Sequence, residues 1–221
     1  MAITDLKSNN GSTIADYFSN KTLDELEVAE LAYIHLNGAA TLSNYKVTSS
    51  LNDLMQTAQA SLNNHRTRIY TPLLAYFAIL DQIGGAYTST LKKTDYGSGI
   101  KAALDIFSDY SKEDLSKLYS LRNGLYHDGS LVNVDTAKSN KANVIFRLTS
   151  ETDKTIIHPH TEWDGIYHDD LTQYVTKINT KLLKRDMETI VERCAAELLE
   201  VTLEMKITCP REFFYKFLFT Q

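Results

Sequence analysis

The sequence has little of what marks secreted, disulfide-stabilised or membrane-spanning proteins. Its 221 residues include only 2 cysteines, Cys194 and Cys209, and their spacing fits no metal-binding motif and builds no disulfide framework. So few thiols suit a reducing compartment. The first residues lack the basic start and apolar run of a signal peptide, and no window approaches the roughly 18 uninterrupted apolar residues of a membrane span. These absences predict a soluble, cytoplasmic protein with no membrane association.

Basic residues are also scarcer than acidic ones. There are 23 Lys and Arg against 28 Asp and Glu, which gives a formal net charge of -5. This charge argues against a general nucleic-acid coat protein, because binding to a phosphate backbone needs an excess of Lys and Arg. It leaves room for an enzyme with one local basic patch. With 43% hydrophobic residues and only 3 prolines, the chain can bury a core, and we expect one domain over residues 1–221.

The first half of the chain carries helical signals. Thr22–Glu25 forms a capping box that opens an apolar run, and Asn37–Gly38 closes it. A second helix is predicted from about Ser50. Thr71–Pro72 then places an N-cap residue before a proline, ahead of a helix that is apolar nearly all round. That character is typical of a helix in the middle of a bundle, with Asp81 as its only charge.

Helical signals dominate the second half as well, with one exception. A helix is predicted around residues 100–107, and the capping box Ser111–Asp114 opens another that Gly129 stops. Residues 130–160 differ, because short β-branched and alternating runs are separated by polar loops, which predicts a small β-hairpin or three-stranded insert. Helical spacing resumes from Asp169 to about Met205, as one long helix or two, and an aromatic tail follows that is expected to pack on the body of the protein or on a partner. The predicted fold class is therefore mainly α: a helical bundle with a β insert.

One stretch has chemical specificity: the hexapeptide Arg122-Asn123-Gly124-Leu125-Tyr126-His127, late in the helix that Ser111 opens. Arg is the natural clamp for a phosphate, since it is permanently charged and fork-shaped. His is the natural proton carrier near neutral pH. Arg122 and His127 are five residues apart, about 140° round an ideal helix, so they do not share a face. A second copy of the helix across a two-fold axis could bring the two groups together.

The pattern Arg-Asn-x-x-x-His, late in a helix of a helix-rich chain, resembles the HEPN superfamily (higher eukaryotes and prokaryotes nucleotide-binding). Arg122, Asn123 and His127 match its signature position for position. The resemblance implies a helical bundle that dimerises through the motif helix and a metal-independent endoribonuclease that acts as a toxin, an antiviral defence effector or an RNA-processing enzyme. It implies Arg122, Asn123 and His127 as catalytic residues, RNA as substrate, no cofactor, and an antitoxin or regulatory partner.

Two alternatives remain open beside this interpretation. The family also contains non-catalytic modules that mediate dimerisation or nucleotide binding in defence or regulatory assemblies. If the motif is accidental, Arg122 is an ion-paired surface residue, His127 caps a helix end, and the chain is an unrelated helical interaction protein. The chain also departs from toxins that pair with a nucleotidyltransferase antitoxin, in which a Tyr commonly lies two residues after the His. Gly129 occupies that position here, so regulation by modification of that Tyr is not expected.

Other candidate sites have simpler interpretations. His158, His160 and His168, with Asp164, Asp169 and Asp170 nearby, match no metal signature, and solvated histidines are the favoured interpretation. No metal site is therefore predicted. The basic segment Asn64–Arg68 could touch RNA phosphates, as could the cations between Lys177 and Arg185, but solvated surfaces are favoured for both. Some of the 13 tyrosines could stack on unpaired bases.

Overall fold

The computed structural model describes residues 11–134 and 143–221, and this part of the chain forms eight α-helices and three β-sheets. The helices are α1 (Gly11–Ser19), α2 (Val28–Asn37), α3 (Ser50–Leu62), α4 (Tyr70–Ala86), α5 (Gly99–Phe107), α6 (Lys112–Asn123), α7 (Thr180–Leu199) and α8 (Pro210–Phe217). The strands are β1 (Ala39–Thr41), β2 (Lys46–Ser49), β3 (Tyr87–Ser89), β4 (Val132–Asn133), β5 (Val144–Thr149), β6 (Ile156–Ile157), β7 (Val175–Asn179), β8 (Leu203–Met205) and β9 (Leu218–Thr220).

The predicted fold class, a mainly α bundle with a hairpin or three-stranded insert near residues 130–160, is wrong. Helix covers 53% and strand 15% of the described residues, so the fold is mixed α/β. The largest sheet has four strands in the order β4-β5-β7-β6, with β5 and β7 parallel and the other pairs antiparallel. Two small antiparallel sheets join β1, β2 and β9, and β3 and β8.

Strand β7 is the element that overturns the prediction, because it lies inside the segment 169–205 that was expected to be helical. Val175 and Ile178 fit a helical period, but the strand VTKIN is rich in β-branched residues, which favour a pleated surface. Its pairing with β5 in parallel register supplies the backbone hydrogen bonds. Helix α7 begins only at Thr180, where the side chain of Asn179 caps it by accepting from the backbone N–H groups of Lys181 and Leu182.

Helix α4 lies at the centre of the core, as its apolar composition predicted. It packs against α3, α5 and α7, and most of its side chains are buried. Five residues of α4 that are only partly buried or exposed follow one another at intervals of four, four, three and four residues. This is the spacing of one face of a helix, so they form a narrow stripe. We call this the α4 stripe; its members are Tyr70, Leu74, Ala78, Asp81 and Gly85.

The motif helix α6 forms where its capping signal predicted. Ser111 Oγ accepts from the backbone N–H of Asp114 at 3.1 Å, and the Asp114 carboxylate accepts from the N–H of Ser111 at 3.0 Å. Buried Lys117 pairs with Glu162 and ties the helix to the loop after β6. Helix α6 also contacts α5 and the strands β4 and β5 of the four-stranded sheet.

The aromatic tail packs on the body of the protein. Phe213 and Phe217 of α8 are buried against His35, and β9 adds to the edge of β2. At the other end of the chain, the predicted capping box at Thr22 opens only a single 3-10 turn, and α2 begins at Val28. Gly38 ends α2, as predicted, with a φ of 106° that favours glycine.

Candidate functional site

The hexapeptide motif spans the junction between α6 and a wider turn. The α-helix ends at Asn123, and residues Gly124–Asp128 continue as a π-helical turn. Gly129 ends this turn in the left-handed region, with a φ of 60°, and its N–H donates to the carbonyl of Gly124. The predicted helix stop at Gly129 is therefore confirmed, while the π turn was not predicted. Such turns are rare and occur frequently at functional sites.

Gly124 is required where the turn begins. A Cβ at this position would lie 2.7 Å from the carbonyl oxygen of Val132 and 2.9 Å from that of Ser130. The backbone N–H of Ser130 also donates to the Gly124 carbonyl at 2.9 Å. The chain thus folds back directly over Gly124, and only a residue without a side chain permits this approach.

The π turn reduces the angle, viewed down the helix axis, between the side chains of Arg122 and His127. In an α-helix each residue rotates by about 100°, so Arg122 and His127 would be separated by about 140°. In a π turn each residue rotates by less, because more residues complete one turn. The two side chains therefore leave the helix axis in directions closer together than the sequence predicted.

Arg122 is loosely held. Its Nη1 donates to Asn123 Oδ1 at 3.3 Å, and its Nη2 lies 3.6 Å from Asp81 Oδ2. Both distances exceed the roughly 2.7–2.9 Å of a strong charge-assisted hydrogen bond. The Nε of Arg122 is buried and has no hydrogen-bond partner among the described residues. Much of the donor capacity of this guanidinium is therefore unused.

Tyr126 and Asp81 flank the guanidinium, and neither was predicted as a site residue. The central carbon of the Arg122 guanidinium lies 4.8 Å from the centre of the Tyr126 ring. The Tyr126 hydroxyl donates to the carbonyl of Leu74 at 2.8 Å, which fixes the ring on the α4 stripe. Burial raises the pKa of Tyr126, and the nearby Asp81 charge raises it further. Tyr126 lay within the motif, but its sequence position alone gave it no role.

Asp81 joins three elements at the site. Its carboxylate lies beside Arg122, and it also accepts from the backbone N–H of Ile100 at the start of α5. Burial raises the pKa of the Asp81 carboxyl, and the Arg122 charge and the Ile100 N–H partly offset this. The signal that could have identified Asp81 was visible in the sequence, because it is the single charge of an apolar helix.

His127 stands apart from the other two predicted catalytic residues. Its side chain is exposed on the π turn, and none of the described residues forms a hydrogen bond or ion pair with its ring. Asn123 uses its carbonyl oxygen on Arg122, so it does not orient His127 here. The structure therefore brings Arg122 and Asn123 together and leaves His127 exposed to solvent.

Two of the other histidines, His158 and His168, lie beside different carboxylates. His158 Nε2 lies 2.8 Å from Asp114 Oδ1, and His168 Nε2 lies 3.0 Å from Asp164 Oδ2. Within residues 11–134 and 143–221, no group of three or more His, Cys, Asp or Glu side chains could hold a metal ion. His158 and His168 therefore each make a local polar contact with a neighbouring carboxylate.

Comparison of the chain with protein-family models, with curated proteins and with solved structures gives no match. No helix in the described ranges has both the length and the apolar character needed to cross a bilayer. Function therefore has to be inferred from the residues of the site themselves.

Proposed function

We propose that this chain is a metal-independent endoribonuclease of the HEPN type, acting as a toxin, an antiviral defence effector or an RNA-processing enzyme. The proposal depends on one observation: the motif's cation and its histidine both have hydrogen-bonding groups that no described residue uses. Arg122, near the end of α6, has unused donors, and His127 lies exposed in the π turn that follows, with no partner among the described residues. The proposal rests on this chemistry and on the match of Arg122, Asn123 and His127 to the family signature, and it does not require an all-helical bundle.

The reaction uses the 2′-hydroxyl of the RNA as nucleophile. Its oxygen attacks the adjacent phosphorus, the bond to the 5′-oxygen of the next nucleotide breaks, and a 2′,3′-cyclic phosphate remains. A base removes the 2′-hydroxyl proton, and an acid supplies a proton to the leaving 5′-oxygen. The phosphorane between these steps is more negative than the substrate, so a bidentate cation at its non-bridging oxygens stabilises it most.

Each motif residue has a role in this scheme. His127 carries a proton, and Arg122 binds the non-bridging oxygens after they displace the loose contact with Asp81. Asn123 orients the Arg122 guanidinium through its side-chain carbonyl. Because one histidine per chain serves one proton transfer at a time, we propose a homodimer in which the partner subunit's His127 fills the complementary role.

The test is RNA cleavage by the full chain and by Arg122→Ala, His127→Ala and Asn123→Ala variants. We expect losses of about 100-fold or more for the first two, from the usual size of acid–base and oxyanion contributions. Asn123→Ala should lower cleavage less, because the Asn123 side chain acts only by orienting Arg122. Cleavage should persist in EDTA, and an RNA with one 2′-deoxy position should remain uncut there. Arg211→Ala, an exposed arginine on α8, is the matched control.

Undiminished cutting by a folded Arg122→Ala or His127→Ala variant would end this assignment, as would cutting at the deoxy position. Circular dichroism and thermal unfolding establish that each variant is folded. Cleavage that EDTA abolishes and a divalent ion restores would also contradict the mechanism and would redirect attention to His158, His160 and His168.

A second candidate is a non-catalytic HEPN module that mediates dimerisation or nucleotide binding. The contacts that favour it are those of Arg122 with Asp81 and with the ring of Tyr126, because they are also what a purely structural arginine would make. In that case the wild-type chain leaves RNA intact, while Arg122→Ala lowers stability or weakens the dimer in light scattering.

A further inference from the structure

We infer that the α4 stripe and the turn before it, residues 65–69, form a binding track for single-stranded RNA that leads into the motif. This inference rests on the proposed function, because it identifies the form of RNA that the site accepts. It gives a role to the basic segment Asn64–Arg68, for which a solvated surface was the favoured interpretation.

The motif lies along the α4 stripe in a defined direction. Arg122 lies beside Asp81, and Tyr126 bonds to the carbonyl of Leu74, seven residues earlier in α4. The motif chain therefore runs antiparallel to α4, from its C-terminal half towards its start. Tyr70 occupies the next position of the same stripe, about 6 Å along the helix axis from Leu74. A strand that leaves Arg122 past Tyr126 thus meets Tyr70 and then the turn.

The turn before α4 places two arginines, Arg66 and Arg68, close to the first residue of the helix. Asn64 organises it: the N–H of Arg68 donates to the Asn64 carbonyl at 2.9 Å, and the N–H of Arg66 donates to Asn64 Oδ1 at 3.0 Å. The side chains of Arg66 and Arg68 are exposed, and no described carboxylate pairs with either. Two exposed arginines within four residues of Tyr70 suit phosphates, which arginine binds through its planar fork.

Tyr70 supplies an aromatic ring on which an unpaired base can stack. It is an exposed large side chain, at 42% of its full accessibility, on the first residue of α4. Because Cβ atoms of a helix tilt towards its N-terminus, the ring leans towards the arginine-bearing turn. Exposed Ile69, at 49%, extends the apolar surface beside it. Aromatic rings alternating with cations are how proteins bind unpaired nucleic acid: phosphates contact the cations and bases stack on the rings.

Local charge and the exposed ring together favour RNA as the occupant. The strand that the motif is proposed to cut carries one negative charge per phosphate, which suits the exposed cations Arg66 and Arg68, and it carries bases that can stack on Tyr70. Duplex RNA would not reach Tyr70 with a base, because its bases are stacked on one another. The track therefore selects single strands.

The test measures binding separately from cleavage. The probe is a short fluorescein-labelled 2′-O-methyl RNA of mixed sequence, which cannot be cut because its 2′-oxygen is blocked, and fluorescence anisotropy reports its Kd for the full chain. We expect Tyr70→Ala to weaken binding about five-fold or more, the range for one stacked base, and Tyr70→Phe to weaken it less than about two-fold. The double variant Arg66→Ala with Arg68→Ala should flatten the salt dependence of log K by about 0.7 for each phosphate that the arginines no longer bind.

Matched controls come from α8, where Tyr215 is 83% exposed and Arg211 is also exposed. Tyr215→Ala and Arg211→Ala should leave the Kd unchanged. A second probe is the same labelled RNA annealed to its complement. Track variants that bind the single strand like the wild type overturn the inference, and so does an equal loss of affinity for this duplex. Dimer dissociation in Tyr70→Ala with an unchanged Kd would instead assign the surface to a second copy. The proposed function fails by a different readout, which is cleavage that is absent or independent of His127.

Discussion

The guanidinium of Arg122 lies over the ring of Tyr126, with 4.8 Å between its central carbon and the ring centre. Both residues belong to the same motif, and four positions separate them, so the π turn that holds Tyr126 supports the cation near the end of α6. A ring at this distance attracts a guanidinium by about 0.5–2 kcal/mol. Because the contacts of Arg122 with Asp81 and Asn123 are long, the Tyr126 ring is a principal restraint on the direction of the guanidinium.

Replacing Tyr126 with alanine should therefore lower cleavage without abolishing it. We expect kcat/KM to fall about tenfold, since about 1–2 kcal/mol of orientation is lost while the charge remains. Tyr126→Phe keeps the ring and should keep most of the activity. It loses only the hydrogen bond to the Leu74 carbonyl, which lowers the free energy of unfolding by about 0.5–1.5 kcal/mol. Cleavage kinetics as fast for Tyr126→Ala as for the wild type would exclude this supporting role.

If Arg122 binds RNA as proposed, we expect Asp81 to compete with the RNA phosphate for its guanidinium. Asp81→Asn removes the charge but keeps an oxygen that can accept from the Ile100 N–H, so RNA should bind up to about five-fold more tightly, the size of a partly exposed ion pair. Steady-state kinetics should show this as a lower KM, while kcat does not rise, because the guanidinium loses one of its restraints.

The matched control is Asp105→Asn, which removes a carboxylate with an equally long contact, 3.6 Å from Lys92, on α5. KM should not change in this variant. If Asp81→Asn raised KM, or if both variants lowered it equally, competition at Arg122 would not be the cause.

The capping boxes and apolar stripes were sufficient to predict α3, α5 and α6 to within a few residues, because local hydrogen bonds fix such ends. The start of α2 was misplaced, since the box at Thr22 opens only a 3-10 turn and α2 begins at Val28. These signals were not sufficient for β7, since parallel pairing with β5 depends on residues about thirty positions away, which no local pattern reports. The central position of α4 was predictable from its composition. Its contact with the motif was not, because it depends on tertiary packing.

The residue types of Arg122, Asn123 and His127 singled out this stretch of chain as a candidate site, but they did not indicate its geometry. The π turn depends on the approach of the Ser130 and Val132 carbonyls to Gly124, which is a tertiary feature. An orienting contact from Asn123 to His127 would suit the motif, but in the structure the Asn123 oxygen accepts from Arg122. Site geometry of this kind follows from packing and not from spacing.

Gly124→Ala should destabilise the protein and disturb the motif. Its Cβ would lie within 3 Å of two backbone oxygens, so the chain after the π turn must move. We expect the free energy of unfolding to fall by about 1–3 kcal/mol, as for an overpacked position, together with a loss of cleavage.

Gly85→Ala is the control, because a Cβ at that exposed helical position would meet nothing within 4 Å. Alanine favours a helix over glycine by up to about 1 kcal/mol, so this variant should be as stable as the wild type or more stable. Urea denaturation compares the two. Equal stability of Gly124→Ala and Gly85→Ala would show that the close approach at Gly124 does not constrain the fold.

His35 is fully buried between α2, α4 and the aromatic tail. Its Nδ1 lies 2.7 Å from the Tyr87 hydroxyl, and its Nε2 lies 3.0 Å from Gln82 Oε1. Since the Gln82 oxygen can only accept, Nε2 carries the proton and Nδ1 accepts from Tyr87, so the neutral ring is fully hydrogen-bonded. Burial lowers the pKa of His35 from 6.5 to about 4.

The direction of the pH effect follows from this shift. Between about pH 6.5 and pH 4 the unfolded chain binds a proton at His35 that the folded chain does not, so acid favours unfolding. The contribution of His35 is fully present above pH 6.5 and is lost as the pH falls to about 4, by about 3 kcal/mol in total.

His35→Gln does not titrate, so the difference in unfolding free energy between wild type and variant should shrink by this amount over the same range. Urea denaturation at a series of pH values measures it, with exposed His160→Gln as the control that keeps the wild-type profile. A wild-type-minus-His35→Gln difference that stays constant with pH would mean that His35 is not held neutral by its burial.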